Sequence, residues 1–290
     1  MSLIELVRGA DGVAELVLNR PEKLNAFNTE MLDAFSDAVD DLTGDDSVRC
    51  VLLRGEGRAF SVGYDVQRAG STGSGTGEPR PAHPSAYTDW SRLKRNLDRW
   101  LAVWDLDKPV VAAVHGHCIG GATMLCVCAD LTIVAEDASI AWPSVPLGGG
   151  LLSPVSLWLT GMKRARELSY IAGSAMSGSE AADLGWANRA VPAADVLADA
   201  RATARQIARM PASLLRLKKL ALNRVMEAQG FRTAFQFGAE WDAIAHTTPE
   251  HEVMAAQIRD HGLKDAIAWF QDGGSIDVTP TATAATDRYL

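Results

Sequence analysis

At 290 residues, of which 47% are hydrophobic, the chain has enough apolar material for one large core with an appended helical region. Its formal net charge of −8 and the scatter of its Lys and Arg residues along the chain exclude the basic stripe of a nucleic-acid binder. No apolar run reaches membrane-spanning length and the start lacks the basic-then-apolar pattern of a secretory signal, so a cytoplasmic protein without a membrane partner is expected.

Val13 to Leu18 and Val48 to Arg54 are short, β-branched and partly alternating, which predicts two strands. Between them Met31, Leu32, Phe35, Val39 and Leu42 recur at helical spacing behind a capping residue at Asn28, with Gly44 just past the end. A second set follows: a helix over Trp90 to Trp104, a buried strand over Pro109 to Val114, a helix from near Gly120 and a strand over Leu131 to Ala135. Repeated βα units with Val- and Ile-rich strands predict an α/β core around a largely parallel sheet. The cysteines at 50, 118, 126 and 128 lie in apolar stretches without paired CxxC spacing, and read as reduced core residues.

Gln67 to Ser85 holds a Gly/Ser tract and three prolines, the composition of a mobile loop. From Ser153 onward the pattern is mostly helical, with Pro211 suited to a first helical position, Thr248 and Pro249 as cap and first turn, and helical periodicity over Leu214 to Met226. The domain reading is a catalytic core over 1–200, a helical region over 201–272 and a poorly ordered tail over 273–290.

Three stretches can carry chemistry. Leu18-Asn-Arg-Pro-Glu-Lys-Leu-Asn-Ala-Phe27 ends a strand in a Pro-bearing turn, and is also what an ordinary strand-to-helix connection looks like. In Gly55-Glu-Gly-Arg-Ala-Phe-Ser-Val-Gly-Tyr-Asp65, glycine at 63 lets the following amide face a cavity, although a plain turn has the same residues. Lys108-Pro-Val-Val-Ala-Ala-Val-His-Gly-His-Cys-Ile-Gly-Gly-Ala122 runs a buried strand into a glycine-rich helix start, whose unpaired N–H groups suit an anion or oxyanion. Close packing also produces Gly-Gly helix starts.

In this order, the three stretches resemble the enoyl-CoA hydratase/isomerase (crotonase) superfamily, from about Ile4 to the helices near Leu263. Gly161 to Gly173, and Ser177 to Gly185 before Trp186-Ala-Asn-Arg-Ala-Val-Pro192, resemble that family's helix-turn-strand segment. The resemblance implies an α/β fold, a crotonase-like repeated ββα superhelical core with a helical C-terminal trimerisation region. It also implies an acyl-CoA thioester substrate bound against Lys23, Asn25 and Ala26, and a thioester enolate held by the backbone N–H groups of Tyr64 and Gly121. The implied assembly is a homotrimer or a dimer of trimers, with coenzyme A entering only as part of the substrate and no metal or redox cofactor.

The resemblance breaks at the proton-moving residues. Hydratases of this family carry two glutamates at positions that match Met124 and Ser144 here. A thioether has no titratable proton and an unassisted serine is a poor base, so ordinary hydration is not expected. The halobenzoyl-CoA dehalogenase branch shares a tryptophan like Trp142, but its aspartate nucleophile falls near Gly150.

Substitutes are few. Asp65 follows the oxyanion loop and is read as ordering that loop before being read as a catalyst, while Ser144 can orient a water or substrate oxygen. The Tyr64 side chain can donate a hydrogen bond, with wall packing the preferred reading. His83 is read as a solvated loop residue, and His115 and His117 lack the partners a metal site needs. Gly148 to Gly150 lack the Lys-Ser/Thr that would make them a phosphate cradle. Thioester or C–C bond hydrolysis on the same oxyanion hole, or catalytically silent binding of CoA esters, are the alternatives.

Overall fold

The computed structural model describes residues 2–66, 85–142, 155–276 and 278. The expected mobile loop, apart from Ser85, and most of the tail lie outside the described residues.

The chain opens with β1 (Ile4–Arg8), β2 (Val13–Leu18), a single 3-10 turn at Pro21–Lys23, α1 (Thr29–Thr43) and β3 (Cys50–Gly55). Helix α1 starts where predicted, because the Asn28 side chain accepts a hydrogen bond from the Met31 amide. Next come α2 (Ala86–Asp105), β4 (Val110–Val114), β5 (His117–Ile119), α3 (Gly121–Cys128), β6 (Leu131–Ala135) and β7 (Ser139–Ala141). Helix α2 begins four residues before the expected Trp90, since Ser85 caps it by accepting from the Thr88 amide.

The remainder is α4 (Ser156–Thr160), α5 (Met162–Tyr170), β8 (Ala175–Ser177), α6 (Gly178–Leu184), β9 (Arg189–Val191), α7 (Val196–Ala208), α8 (Ala212–Ala228), α9 (Phe231–Ala245), α10 (Pro249–His261) and α11 (Leu263–Gln271). The mostly helical reading beyond Ser153 therefore holds, interrupted by two three-residue strands.

Six strands form the main sheet in the order β1-β2-β3-β4-β6-β9, parallel except for the antiparallel edge strand β1. Every residue of β4 is buried, as a central parallel strand covered on both faces requires. Helix α7 lies across β2, β3, β4 and β6. Its buried positions Val196, Ala200, Ala204 and Ala208 recur every four residues, and the three small side chains let helix and sheet approach closely.

Strands β5, β7 and β8 form a second, three-stranded sheet. All four cysteines are buried free thiols. Beyond the main core, Met254, Ile258 and Ala266 make a separate cluster in which α10 packs on α11.

Candidate active site

The three sequence stretches meet edge to edge. The amide of Val62 donates to the Leu24 carbonyl, Phe27 donates to Gly63, and Asp65 donates back to Phe27. On its other side the same loop is tied to β5: Ser61 donates to His117, and Ile119 donates to Ser61. Strand β5 then pairs with β7 and β7 with β8, so one ladder runs from residue 24 to residue 177. Backbone hydrogen bonds fix each stretch against the next.

Asn25 is the knot of this ladder. Its left-handed backbone (φ 56) is one that Asn tolerates better than most residues. Its Nδ2 donates to the carbonyls of Glu56 and Ala59 at 2.9 Å and Phe60 at 3.1 Å, and its Oδ1 accepts from the Arg20 amide at 2.8 Å. The side chain is wholly buried. This amide is engaged in shaping the turn that the resemblance implies lies against coenzyme A. Lys23 is exposed on the turn, and Ala26 is buried with its carbonyl accepting from Arg20 Nη1 at 2.9 Å.

The same Arg20 nitrogen lies 2.6 Å from Asp65 Oδ2, with both side chains largely buried. Asp65 thus clamps the end of its own loop to the first turn.

Glycine is required at 63 and 121 for steric reasons. At Gly63 (φ 82) a methyl group would stand 2.5 Å from the Ile119 carbonyl oxygen and 3.1 Å from the Gly121 amide nitrogen. At Gly121 it would meet the Tyr64 ring at 2.8 Å. The backbone at 63–64 and the first residue of α3 are therefore packed together. Among the described residues, neither the Tyr64 amide nor the Gly121 amide finds a hydrogen-bond acceptor. For Gly121 that follows from its place in the first turn of a helix, where amides have no intrahelical acceptor. Two open N–H groups beside the positive end of a helix can hold an oxygen that gains negative charge.

Met124 is fully buried within α3, all of whose residues are buried. Ser144, His83 and Gly148 to Gly150 lie outside the described residues. His115 Nε2 sits 2.9 Å from the Gly57 carbonyl oxygen, and His117 is exposed on β5. Among the described residues no helix is long and apolar enough to cross a membrane.

One buried pair has no counterpart in the sequence reading. His246 at the end of α9 places Nδ1 2.6 Å from Oδ2 of Asp89 in the first turn of α2, and Asp89 is also paired with Arg92. Burial by itself raises the Asp89 carboxyl, but hydrogen bonds from His246 and Arg92 together outweigh it and hold the group well below the usual carboxylate range. Asp89 and His246 stand 157 positions apart, so no local pattern signals them.

The comparisons with known proteins decide the family. Residues 8–254 match the model for enoyl-CoA hydratase/isomerase. The chain belongs to that family. A Thermus thermophilus protein named as an enoyl-CoA hydratase is 34% identical over 230 residues, covering 77% of this chain and 86% of its own. A crystal structure of an enoyl-CoA hydratase/isomerase from Novosphingobium aromaticivorans has a TM-score of 0.83 at 35% identity, covering 94% of this chain and 100% of its own. One from Xanthobacter autotrophicus Py2 has a TM-score of 0.81 at 33% identity, covering 92% and 97%. Membership makes this family member an enzyme of the lyase and isomerase type with the expected crotonase α/β fold.

Proposed function

We propose that this family member processes acyl-CoA thioesters by holding the thioester oxygen between the Tyr64 and Gly121 amides, without the usual pair of catalytic glutamates. The observation that carries this reading is the close approach of Gly63 to Gly121 at the N-terminal end of α3, where the Tyr64 and Gly121 amides have no acceptor among the described residues. An oxyanion donor is worth about 3 to 4 kcal/mol of transition-state stabilisation, so such a site supports chemistry at a thioester whichever group moves the proton.

The buried Met124 cannot move one. Each absent acid or base is worth roughly 10²- to 10⁴-fold, which places hydration of a simple enoyl-CoA far below the rate of a two-glutamate enzyme. Asp65 is not the replacement in this reading, because its carboxylate is held by Arg20. Its role is to keep the loop in place.

Product analysis with enoyl-, β-ketoacyl- and saturated acyl-CoAs, alongside calorimetric binding of each, tests the proposal. Binding of the thioesters with slow hydration of crotonyl-CoA is expected, and Met124→Glu with Ser144→Glu together should raise that rate. Fast hydration that is abolished by changing Asp65, and indifferent to Met124 and Ser144, would overturn the account.

A further inference from the structure

Trp100 lies on the buried face of α2 and is itself wholly buried. A buried indole N–H needs an acceptor, and Trp100 Nε1 finds one 3.0 Å away in the Tyr64 hydroxyl oxygen. The indole is held on two other sides. The Phe27 ring of the first turn lies 4.9 Å from it between centroids, and the Phe35 ring of α1 meets it edge-on at 5.3 Å and 78°.

On its other side the Tyr64 ring meets the candidate site. Its atoms Cε2, Cζ and Cδ2 lie 2.8, 3.0 and 3.2 Å from where a Gly121 Cβ would stand, so the ring packs directly on the first residue of α3. The backbone around Tyr64 is held by Phe27, which donates to Gly63 and accepts from Asp65. The ring is therefore the spacer between the loop that carries the Tyr64 amide and the helix start that carries the Gly121 amide. Hydrogen bonds weaken steeply as distance and angle leave their narrow range, so two amides converge on one oxygen only if that spacing is kept.

We infer that Trp100 is a positioning residue for the thioester site: by fixing the Tyr64 ring against Gly121, it sets the separation of the two amides. The inference rests on the thioester reading above and deepens it by naming what holds the amides apart. The hydroxyl's task is to accept from the indole, and neither group acts on the thioester directly. Burial pushes the phenol above its ordinary ionisation range despite the Trp100 hydrogen bond, so the hydroxyl stays neutral and the contact is the same at any working pH. This hold differs from that of Arg20 on Asp65, which fixes the loop against the first turn. Trp100 fixes it against α3.

The test uses 4-dimethylaminocinnamoyl-CoA bound to the full-length protein. Its amine donates electrons through the conjugated chain to the thioester carbonyl, so its absorption moves to longer wavelength as hydrogen-bond donors polarise that oxygen. The wild type is expected to give a red shift on binding. Trp100→Phe should lose most of it, and Tyr64→Phe, which keeps ring and amide but not the acceptor, should lose part. The double variant should lose no more than Trp100→Phe alone, because both changes break one contact. Turnover of whichever thioester the product panel identifies should fall about 10²-fold in Trp100→Phe, with kcat carrying more of the loss than KM, as misplacement by about 1 Å predicts.

Leu42→Ala, a core deletion in the last turn of α1, should destabilise the protein and keep the red shift. If Trp100→Phe does not fold, Tyr64→Phe carries the test. A wild-type red shift in the folded Trp100 and Tyr64 variants, an equal loss in Leu42→Ala, or additive losses in the double variant would overturn the inference alone. Failure of the wild type to bind the probe, or to shift its absorption on binding, would overturn the thioester reading and the inference with it.

Discussion

Arg20 and Asp65 lie 45 positions apart in the chain and meet at 2.6 Å, joining the first turn to the loop that carries Tyr64. Because both side chains are largely out of water, removing one partner takes from a buried charge its close counter-charge at 2.6 Å. Asp65→Ala is expected to destabilise the fold by about 3 to 5 kcal/mol in urea titrations. The double variant Arg20→Met, Asp65→Ala should cost less than the two single variants added together. Strict additivity would mean that the pair is not coupled.

The two glycines of the candidate site should differ in their tolerance of alanine. Gly121→Ala presses on a side-chain ring, which can tilt, whereas Gly63→Ala presses on the Ile119 carbonyl and must also keep a positive φ. The left-handed backbone alone costs roughly 1 to 2 kcal/mol for a non-glycine residue. Denaturant unfolding should show Gly63→Ala as the more destabilised variant, while Gly121→Ala keeps most of its stability and loses thioester affinity. The reverse order of stability would show that the loop yields more easily than the ring.

The Asp89–His246 pair predicts an acid-sensitive tie between α2 and α9. Asp89 is held below its unfolded value of 3.8, so its contribution is complete above that value and is lost as pH falls through it toward the folded value. Asp89→Asn is expected to lose about 3 kcal/mol near neutral pH, since it removes the buried carboxylate that pairs with Arg92 and is hydrogen-bonded to His246. Its stability should also vary less with pH between about 4 and 2 than the wild type's does. Parallel acid profiles for the two proteins would remove Asp89 as the source.

Helix α9 exposes Phe237, Trp241 and Ile244 at helical spacing, and α8 exposes Leu217 and Leu222, at 60% and 69%. Contiguous apolar faces of this kind mark association surfaces. Sedimentation equilibrium at micromolar concentration should give a trimer or larger, and Trp241→Glu with Ile244→Glu should shift it toward monomer. A wild-type monomer would refute the assembly.

Longer elements are readable before any coordinates. Val13 to Leu18, Leu131 to Ala135 and the helix capped by Asn28 fall where β-branching, periodicity and capping chemistry place them. Strands β5, β7 and β8 escape because three residues cannot show alternation, and because they are held by neighbours distant in the chain. The positive φ at Gly63 and the helix start at Gly121 are local and legible in the sequence, while the contacts with Ile119 and the Tyr64 ring that exclude a side chain there are not. Nor are the engagement of Asn25 and the meeting of Asp89 with His246, because burial and long-range pairing leave no mark on nearby residues.

The ladder joining residues 24–27, 61–65, 117–119, 139–141 and 175–177 also bears on how the protein comes to work during synthesis. Contacts so far apart in the chain must close long loops before any of them is rewarded. A nascent chain released only as far as α3 already contains Tyr64 and Gly121, yet lacks β7, against which β5 is held in register, and β8, which pairs with β7 in turn. The ladder is thus complete only after Ser177 has emerged from the ribosome, and an early-terminated fragment offers exposed strand edges instead.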